Sequence, residues 1–467
     1  MRALTRKLYR DLRKLRSQGA AIALVVAGGV ATWVISLSTV NSLDDSRRMF
    51  YGDYRFADLF ASLTRAPRSV LDPLAEIPGL TVVEGRIRAP ATLTIRGFEE
   101  PVEALITSIP DGSEPRLNRI YLARGRMPDP TRLNEAVVSE SFAEAHGLAP
   151  GDRIEAIIRG RTTEMVISGT GISPAFVYQI RPGSLFPDHR RYAIMAMRQR
   201  ALERAADMDG AFNYLLAGFE RGARIEEVID RVDTLLARWG GTGAIGRDEQ
   251  TSHRYLTEEL DQLRAMARIV PVIFLGVAAF LLNIVIHRLI GMQRAQIAVL
   301  KSFGYRNSAI GWHYTQLVLV LVAVGTVPGL VLGAWLGRGL ASVYHEFFRF
   351  PELHYAVGHD VAASAVLVTV AAALIGTWRA LWQGFRMAPA EAMRPAAPQR
   401  YCRTLVERLP VLRRMDQPTR MILRNLERRG WKSALSVVGI AFAVAILVTG
   451  RFQQDTIDYM LDVQFGF

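Results

Sequence analysis

The stretch IVPVIFLGVAAFLLNIVI (Ile269–Ile286) carries no charge and runs directly into HRLIGMQRAQIAVLKSFGY (His287–Tyr305), which has Arg288, Arg294 and Lys301 but no acid. An uncharged apolar run of about 18 residues is long enough to cross a bilayer core as a helix. Comparable runs occur at Gly19–Val40, Gln316–Leu336, Val361–Thr377 and Ser433–Gly450. A polar stretch of more than 200 residues separates the run at Gly19 from the run at Ile269. This layout predicts an α+β membrane protein. A helical transmembrane bundle has a large mixed α/β extracytoplasmic domain inserted between transmembrane helices 1 and 2.

Composition agrees with a chain of two characters. Of 467 residues, 50% are hydrophobic and 22% are charged, with a mean hydropathy of +0.14. The formal net charge of +13 does not point to nucleic acid, because the basic residues gather beside the apolar runs, where they set topology. The single cysteine, Cys402, excludes an intramolecular disulfide framework and reads as a cytosolic thiol.

Charge also orients the chain. Arg2, Arg6, Lys7, Arg10, Arg13, Lys14 and Arg16 face one acid, Asp11, so the N-terminus stays in the cytoplasm. The run that follows is too long for a signal peptide and reads as an anchor. The acid-free loop after Ile286, with Arg306 as a further basic residue, returns to the same side. Glu346, Glu352 and Asp360 mark an outer turn, Arg379 to Lys432 an inner one, and Asp455, Asp458 and Asp462 an outer tail. Trp312, Tyr314, Trp378, Trp382 and Trp431 fall at expected interfaces. The expected order is a basic cytoplasmic N-terminus (1–18), TM1 (19–40), the extracytoplasmic domain with its stalk (41–265), TM2 (266–288) and a cytoplasmic loop (289–313). TM3 (314–340), an outer loop (341–360), TM4 (361–383), a cytoplasmic linker (384–432), TM5 (433–451) and an extracytoplasmic tail (452–467) follow.

Inside 41–265, alternation and turn residues predict strands at Thr81–Val83, Ala91–Arg96, Val102–Ser108 and Glu135–Ser139. A hairpin of Arg153–Ile158 with Thr163–Ile167 turns about Gly160. Helices are expected at Val70–Ile77, at Glu140–His146 with Gly147 as cap, and at Arg224–Trp239. Leu256, Leu260 and Leu263 stripe a last helix that can run straight into TM2.

Chemical motifs are weak. Gly241-Thr-Gly243-Ala-Ile-Gly246 matches G-x-G-x-x-G in letters, but a helix precedes it, so it reads as a cap and turn. His345, His354 and His359 share a loop without ligand spacing, and Gly171-Ile-Ser173 completes no nucleophile elbow. With no P-loop and no catalytic constellation, we expect no enzyme, no cofactor and no metal. In TM3, Gly325, Gly329, Gly333 and Gly337 recur every fourth residue, followed by Ala341. They form a ridge for close helix packing, within the chain or between two copies. Pro328 is expected to kink that helix. Ala365, Thr369, Ala373 and Thr377 repeat the small-residue spacing in TM4.

Arg10-Asp-Leu12 before the first run and Arg424-Asn-Leu426 before the last make a weak internal repeat. Together with three further stretches, this resembles the FtsX-like (MacB/LolC-type) permeases of ABC transporters in their duplicated long form. QRAQIAVLKSFGY (Gln293–Tyr305) is similar to the family's cytoplasmic coupling motif, with Gln296 where an acid is common and Ser302 where alanine is common. Met387-Ala-Pro-Ala-Glu-Ala-Met-Arg394 is similar to a second family motif. Gly125-Arg-Met-Pro128, Asn134-Glu-Ala-Val-Val-Ser139 and His146-Gly-Leu-Ala-Pro-Gly-Asp152 resemble the family's MacB-like periplasmic domain. The chain reads as the N-terminal half of the long form plus the first helix of the second half.

The resemblance implies a non-catalytic permease subunit in a bacterial cytoplasmic (inner) membrane. It implies coupling to a cytoplasmic ABC ATPase dimer through Arg294, Gln296, Ile297, Leu300, Lys301, Phe303 and Gly304. The work done is export or extraction of a lipid, lipoprotein, peptide or drug. Further partners are a second permease copy or the missing half, membrane lipids and an extracytoplasmic adaptor. Two other readings are a mechanotransmitting regulator of an extracytoplasmic enzyme or sensor, and a membrane-anchored enzyme. On the residues alone, Ile297, Leu300 and Phe303 suit a short amphipathic helix at the bilayer surface, ended by Gly304, with Arg294 and Lys301 facing cytosol.

Overall fold

The computed structural model describes residues 3–184, 186–386, 416–419, 421–422 and 430–465. Cys402, Met387–Arg394, Arg424–Leu426 and most of the 384–432 linker lie outside the described residues. Two compact units emerge: 1–32, 269–331 and 363–467 form one, and 33–268 with 332–362 form the other.

The second unit is mixed α/β. Its strands are β1 (Leu59–Pro67), β2 (Leu80–Arg86), β3 (Arg88–Ile95), β4 (Phe98–Ile109), β5 (Tyr121–Gly125), β6 (Glu135–Ser139), β7 (Arg153–Ile158), β8 (Arg161–Ile172), β9 (Tyr192–Arg198), β10 (Ala211–Phe219) and β11 (Ala244–Gly246). They make a four-stranded sheet, β11-β1-β10-β2, and a seven-stranded sheet, β5-β8-β6-β9-β4-β3-β7. The expected strands form: Glu135–Ser139 and Arg153–Ile158 with the expected bounds, the others mostly longer. The hairpin β7–β8 turns where Arg159 and Gly160 both have positive φ, the geometry of the tight hairpin turn. The helix expected at Val70–Ile77 is instead a 3₁₀ turn at Arg68–Val70 followed by a short α-helix at Leu71–Ala75. The segment Gly241–Gly246 follows the cap at Gly240 as a turn and ends in the edge strand β11.

One core lies on a face of the seven-stranded sheet, around Leu93, Ile106, Val138, Phe142 and Met195. Another buries Leu74, Phe212, Leu215 and Val232 on the four-stranded sheet. A third gathers Phe50, Phe60, Leu256, Leu260, Phe348 and Phe350, so the expected leucine stripe is buried. Gly125 sits at φ +79°, and a Cβ there would meet Gly169 Cα at 2.8 Å and Pro150 Cγ at 2.9 Å. Only glycine fits both the backbone angle and the approach.

Four described helices are long and apolar enough to cross a membrane: α2 (Arg16–Asp53), α7 (Thr251–Met292), α9 (Asn307–Phe347) and α10 (His359–Arg386). The remaining helices are α1 (Ala3–Lys14), α3 (Leu71–Ala75), α4 (Glu140–His146), α5 (Gln199–Ala205), α6 (Ile225–Leu236), α8 (Arg294–Ser302) and α11 (Gly430–Phe465), the last containing the run at Ser433. Helix α7 passes through Pro271 and α9 through Pro328, each as one helix. The first turns of the 341–360 stretch, expected as loop, continue α9 as far as Phe347.

Within the helical unit, the glycine ridge is a packing seam inside the chain. A Cβ on Gly325 would lie 2.6 Å from Ala23 O and 2.7 Å from Val26 Cβ; one on Gly329 would lie 2.8 Å from Val30 Cβ. On α10, a Cβ at Gly376 would meet Ala279 Cβ at 2.7 Å. Asn283, the polar exception in its run, donates from Nδ2 to Gly376 O at that crossing. Thr369 and Thr377 return their hydroxyls to Ala365 O and Ala373 O one turn back. Their polar atoms therefore stay satisfied while small surfaces face neighbouring helices.

Gly329→Leu drives a side chain into Val30 and Ala27 and should cost about 1–3 kcal/mol of stability. Gly276→Leu, with nothing within 4 Å of its Cβ position, should be near neutral. Thermal unfolding of the two variants in mild detergent checks the contrast, and equal midpoints would refute the seam.

Candidate functional site

The loop joining α7 to α9 is built on the short helix α8. Its first residue, Arg294, is partly buried, and Gln296 is exposed. Ile297 and Ala298 point inward, with Ile297 at 1% exposure. Leu300 is half-buried, while Val299 and Phe303 are 45% and 76% exposed. Ile297, Leu300 and Phe303 thus do not share one environment. The helix stops before Phe303, whose side chain leaves the face that Ile297 buries. Gly304 takes φ +83° and ends the helix, with Tyr305 N donating to Leu300 O at 3.1 Å. Lys301 is half-buried, and desolvation lowers its pKa. Of the ridge residues, Gly325 and Gly329 meet α2 and Gly333 is buried. Gly337, in the mixed unit, lies against Tyr355.

A buried polar cluster holds the start of α8, and sequence reading missed it. Lys7 Nζ donates to Asp11 Oδ2 and to Gln293 Oε1. Gln293 Nε2 donates to Asp11 Oδ1 at 3.0 Å, and Tyr314 OH donates to Gln293 Oε1 at 2.8 Å. His313 Nε2 lies 3.4 Å from Asp11 Oδ2, and the Lys7 ammonium stands 5.5 Å from the centre of the Tyr314 ring. Asp11 and Tyr314 are each 1% exposed. Tyr314 is therefore no interfacial aromatic: its hydroxyl needs Gln293, and burial at the cluster supplies it. Trp312 and Trp378 do remain exposed.

Gln293 is the residue between α7 and α8, and its N–H bonds to Leu289 O while its C=O accepts from Ile297 N. Fixing its side chain therefore fixes the angle at which α8 leaves α7. Helix α1, at Lys7 and Asp11, and α9, at His313 and Tyr314, hold it from two sides. Burial alone would raise the Asp11 carboxyl; hydrogen bonds from His313, Lys7 and Gln293 outweigh it and hold the pKa at about 2. Desolvation lowers the Lys7 pKa against the pull of Asp11. The available signal was the lone acid of the basic N-terminus, four residues after a lysine on one helical face.

These features define a membrane-embedded helical unit with a short, acid-free helix clamped at its base and an apolar edge left open. Residues 268–389 match the model of the FtsX-like permease C-terminal family. An uncharacterized ABC transporter permease protein of Mycobacterium tuberculosis is 20% identical over 269 residues, covering 56% of this chain and 30% of that protein. The chain thus spans about 30% of the length of that curated relative. The extracellular domain of the noncanonic ABC-type transporter YknZ from Gram-positive bacteria is similar at 13% identity and a TM-score of 0.28, over 41% of this chain and 98% of that one. The periplasmic region of MacB from Actinobacillus actinomycetemcomitans gives 8% identity and a TM-score of 0.28, over 44% and 92%. Residues 268–389 thus carry an FtsX-like permease domain, and the chain is similar to an ABC transporter permease.

Asp11→Ala leaves the Lys7 ammonium buried without its counter-charge and should cost about 3–5 kcal/mol. Lys7→Met with Asp11→Leu should recover most of that loss. Denaturant unfolding in detergent measures both, and an additive double variant would refute the pairing. Because the Asp11 pKa is depressed to about 2, its contribution is present above the ordinary carboxylate value and vanishes as pH falls through about 2. Between pH 4 and 2 the wild type should lose about 2 kcal/mol more than Asp11→Asn. Parallel acid-unfolding curves would contradict the assignment.

Proposed function

We propose that this chain is the non-catalytic permease subunit of an ABC transporter in a bacterial cytoplasmic membrane, and that α8 is where a separate ATPase subunit takes hold. The observation that carries the reading is the state of α8. It is anchored by Ile297 and by the Gln293 cluster, yet it presents Val299 and Phe303 to solvent. A large aromatic held out from a rigid, acid-free loop fits the apolar pocket of a protein partner. In this reading the N-terminus and α8 are cytoplasmic and the mixed α/β unit is extracytoplasmic.

ATP-driven closure of the partner would tilt α8. The Gln293 cluster would pass that tilt to α1, α7 and α9 without slack. Helix α7 spans 42 residues, Thr251–Met292, and would be the path for a push entering at Met292. That favours mechanical transmission to the extracytoplasmic side, for export or extraction of a lipid, lipoprotein, peptide or drug. A second permease copy, or a second half-permease, would offer the paired loop that an ATPase dimer requires.

The test is co-purification of the full chain with its ATPase in mild detergent. Phe303→Asp, alone and with Leu300→Asp, should abolish the complex and ATP-dependent motion while thermal unfolding stays near wild type. Gln296→Ala, on the exposed face, should reduce binding less than about tenfold, as a rim contact does. A Phe303→Asp chain that still bound and moved with ATP would refute the coupling role.

A further inference from the structure

Between the two sheets of the mixed unit lies a small cavity, about 40 Å³ by the centres of the water molecules it could hold. Its walls include Ile109, Val137, Phe176, Ile194 and Leu216, and its polar lining includes Arg86, Arg88 and Thr107. It occupies the face of the seven-stranded sheet opposite the main core, since Ile109, Val137 and Ala196 turn away from Ile106, Val138 and Met195. The size is enough for a few waters or for the head of a small molecule.

Arg88 is the unusual lining residue. Its backbone is fixed from both sides by Asn213, which accepts from Arg88 N at 2.7 Å and donates to Arg88 O at 2.8 Å. Its guanidinium lies 3.4 Å from the centre of the Tyr214 ring and 5.4 Å from that of Phe176. Its Nε is fully buried with no hydrogen-bond partner, and no carboxylate pairs with the group among the described residues. Neighbouring Arg86 is different: it has Glu84 at 2.8 Å and donates to Ser108 O and Leu117 O.

Directly across the β3–β4 ladder from Arg88 is Thr107, whose hydroxyl is likewise buried without a partner. Two adjacent donors, one of them cationic, therefore open into an apolar chamber with no anion to receive them. Stacking on Tyr214 recovers part of the cost of burying that charge. It leaves the in-plane N–H donors of the guanidinium unused, and those match a carboxylate. Desolvation pulls the Arg88 pKa down, as expected for a cation enclosed without a counter-charge.

We propose that this cavity is a binding site for a short-chain aliphatic carboxylate. Arg88 receives the carboxylate through its N–H fork, Thr107 donates to one of its oxygens, and Ile109, Ile194 and Leu216 enclose the hydrocarbon tail. A fully hydrated phosphate is a poorer occupant, because most of the lining offers no donor to replace its water. The site is separate from α8, and its test does not depend on an ATPase.

The probe is butyrate, added to the full chain in a non-ionic detergent at constant ionic strength, with butan-1-ol and inorganic phosphate as comparators. Equilibrium dialysis should show one saturable butyrate site per chain, accompanied by a rise in the thermal midpoint. Butan-1-ol and phosphate should give neither. Arg88→Met should lose the response while matching or exceeding the wild-type midpoint without butyrate, since an uncompensated buried charge has been removed. Thr107→Val keeps the shape and should weaken butyrate about tenfold, the loss of one hydrogen bond to a charged group. If Arg88→Met does not fold, the Thr107→Val comparison decides. Absence of saturable butyrate binding, unchanged binding in Arg88→Met or Thr107→Val, or phosphate binding as tight as butyrate would each overturn the proposal.

Discussion

A helix in hydrocarbon must satisfy its own peptide groups and gains nothing from hiding apolar side chains against a neighbour, because lipid is equally apolar. Both halves of that constraint are visible in the helical unit. Every long apolar run among the described residues is helical, and what holds the helices together is closeness. Gly325 and Gly329 bring α9 onto the backbone of α2, and Gly376 brings α10 onto Ala279. At the second contact a single polar atom, Nδ2 of Asn283, reaches a carbonyl that the absent glycine side chain leaves open. The same small residues that permit van der Waals contact thus also permit an interhelical hydrogen bond at this crossing.

Once packing is this close, the angle of a loop leaving the bundle becomes a property of the bundle. Helix α8 is too short to hold its own direction, since isolated helices under about 12 residues are marginal in water. Ile297 and the Gln293 side chain hold it instead. Gln293 is suited to the task because an amide both accepts and donates. Its oxygen accepts hydrogen bonds from Lys7 and Tyr314 and its N–H donates one to Asp11, so removing any partner leaves another group unpaired.

Legibility in the sequence followed periodicity and failed where periodicity vanished. Strand β7 alternates buried and exposed along its whole length and was readable. Strand β9 is almost wholly buried, because both faces of the seven-stranded sheet are covered there, and its Tyr-Ala-Ile-Met-Ala-Met run shows no alternation. β10 is also buried almost throughout, and the period of β1 breaks at an irregularity between Ser62 and Ala66. The glycine ridge was legible because its spacing is the helix repeat itself. Lys7 and Asp11 were not, since seven basic residues around one acid read as a topology signal. Which of them turns inward depends on partners 280 and more positions away, at Gln293, His313 and Tyr314.

Two cations, Lys7 buried and Arg88 with its Nε buried, put the difference between structure and site in physical terms. Lys7 has a carboxylate, an amide oxygen and an aromatic ring around it. Its charge is answered within the chain, so the natural consequence is rigidity. Arg88 has only the rings of Tyr214 and Phe176 near its guanidinium, and no carboxylate among the described residues. Answering its charge within the chain would have taken one acid on the facing strand, yet that position holds Thr107, whose uncharged hydroxyl cannot neutralise it. A threonine leaves space, a second polar hydrogen and an unmet positive charge in the same place, the combination on which the proposed anion site rests.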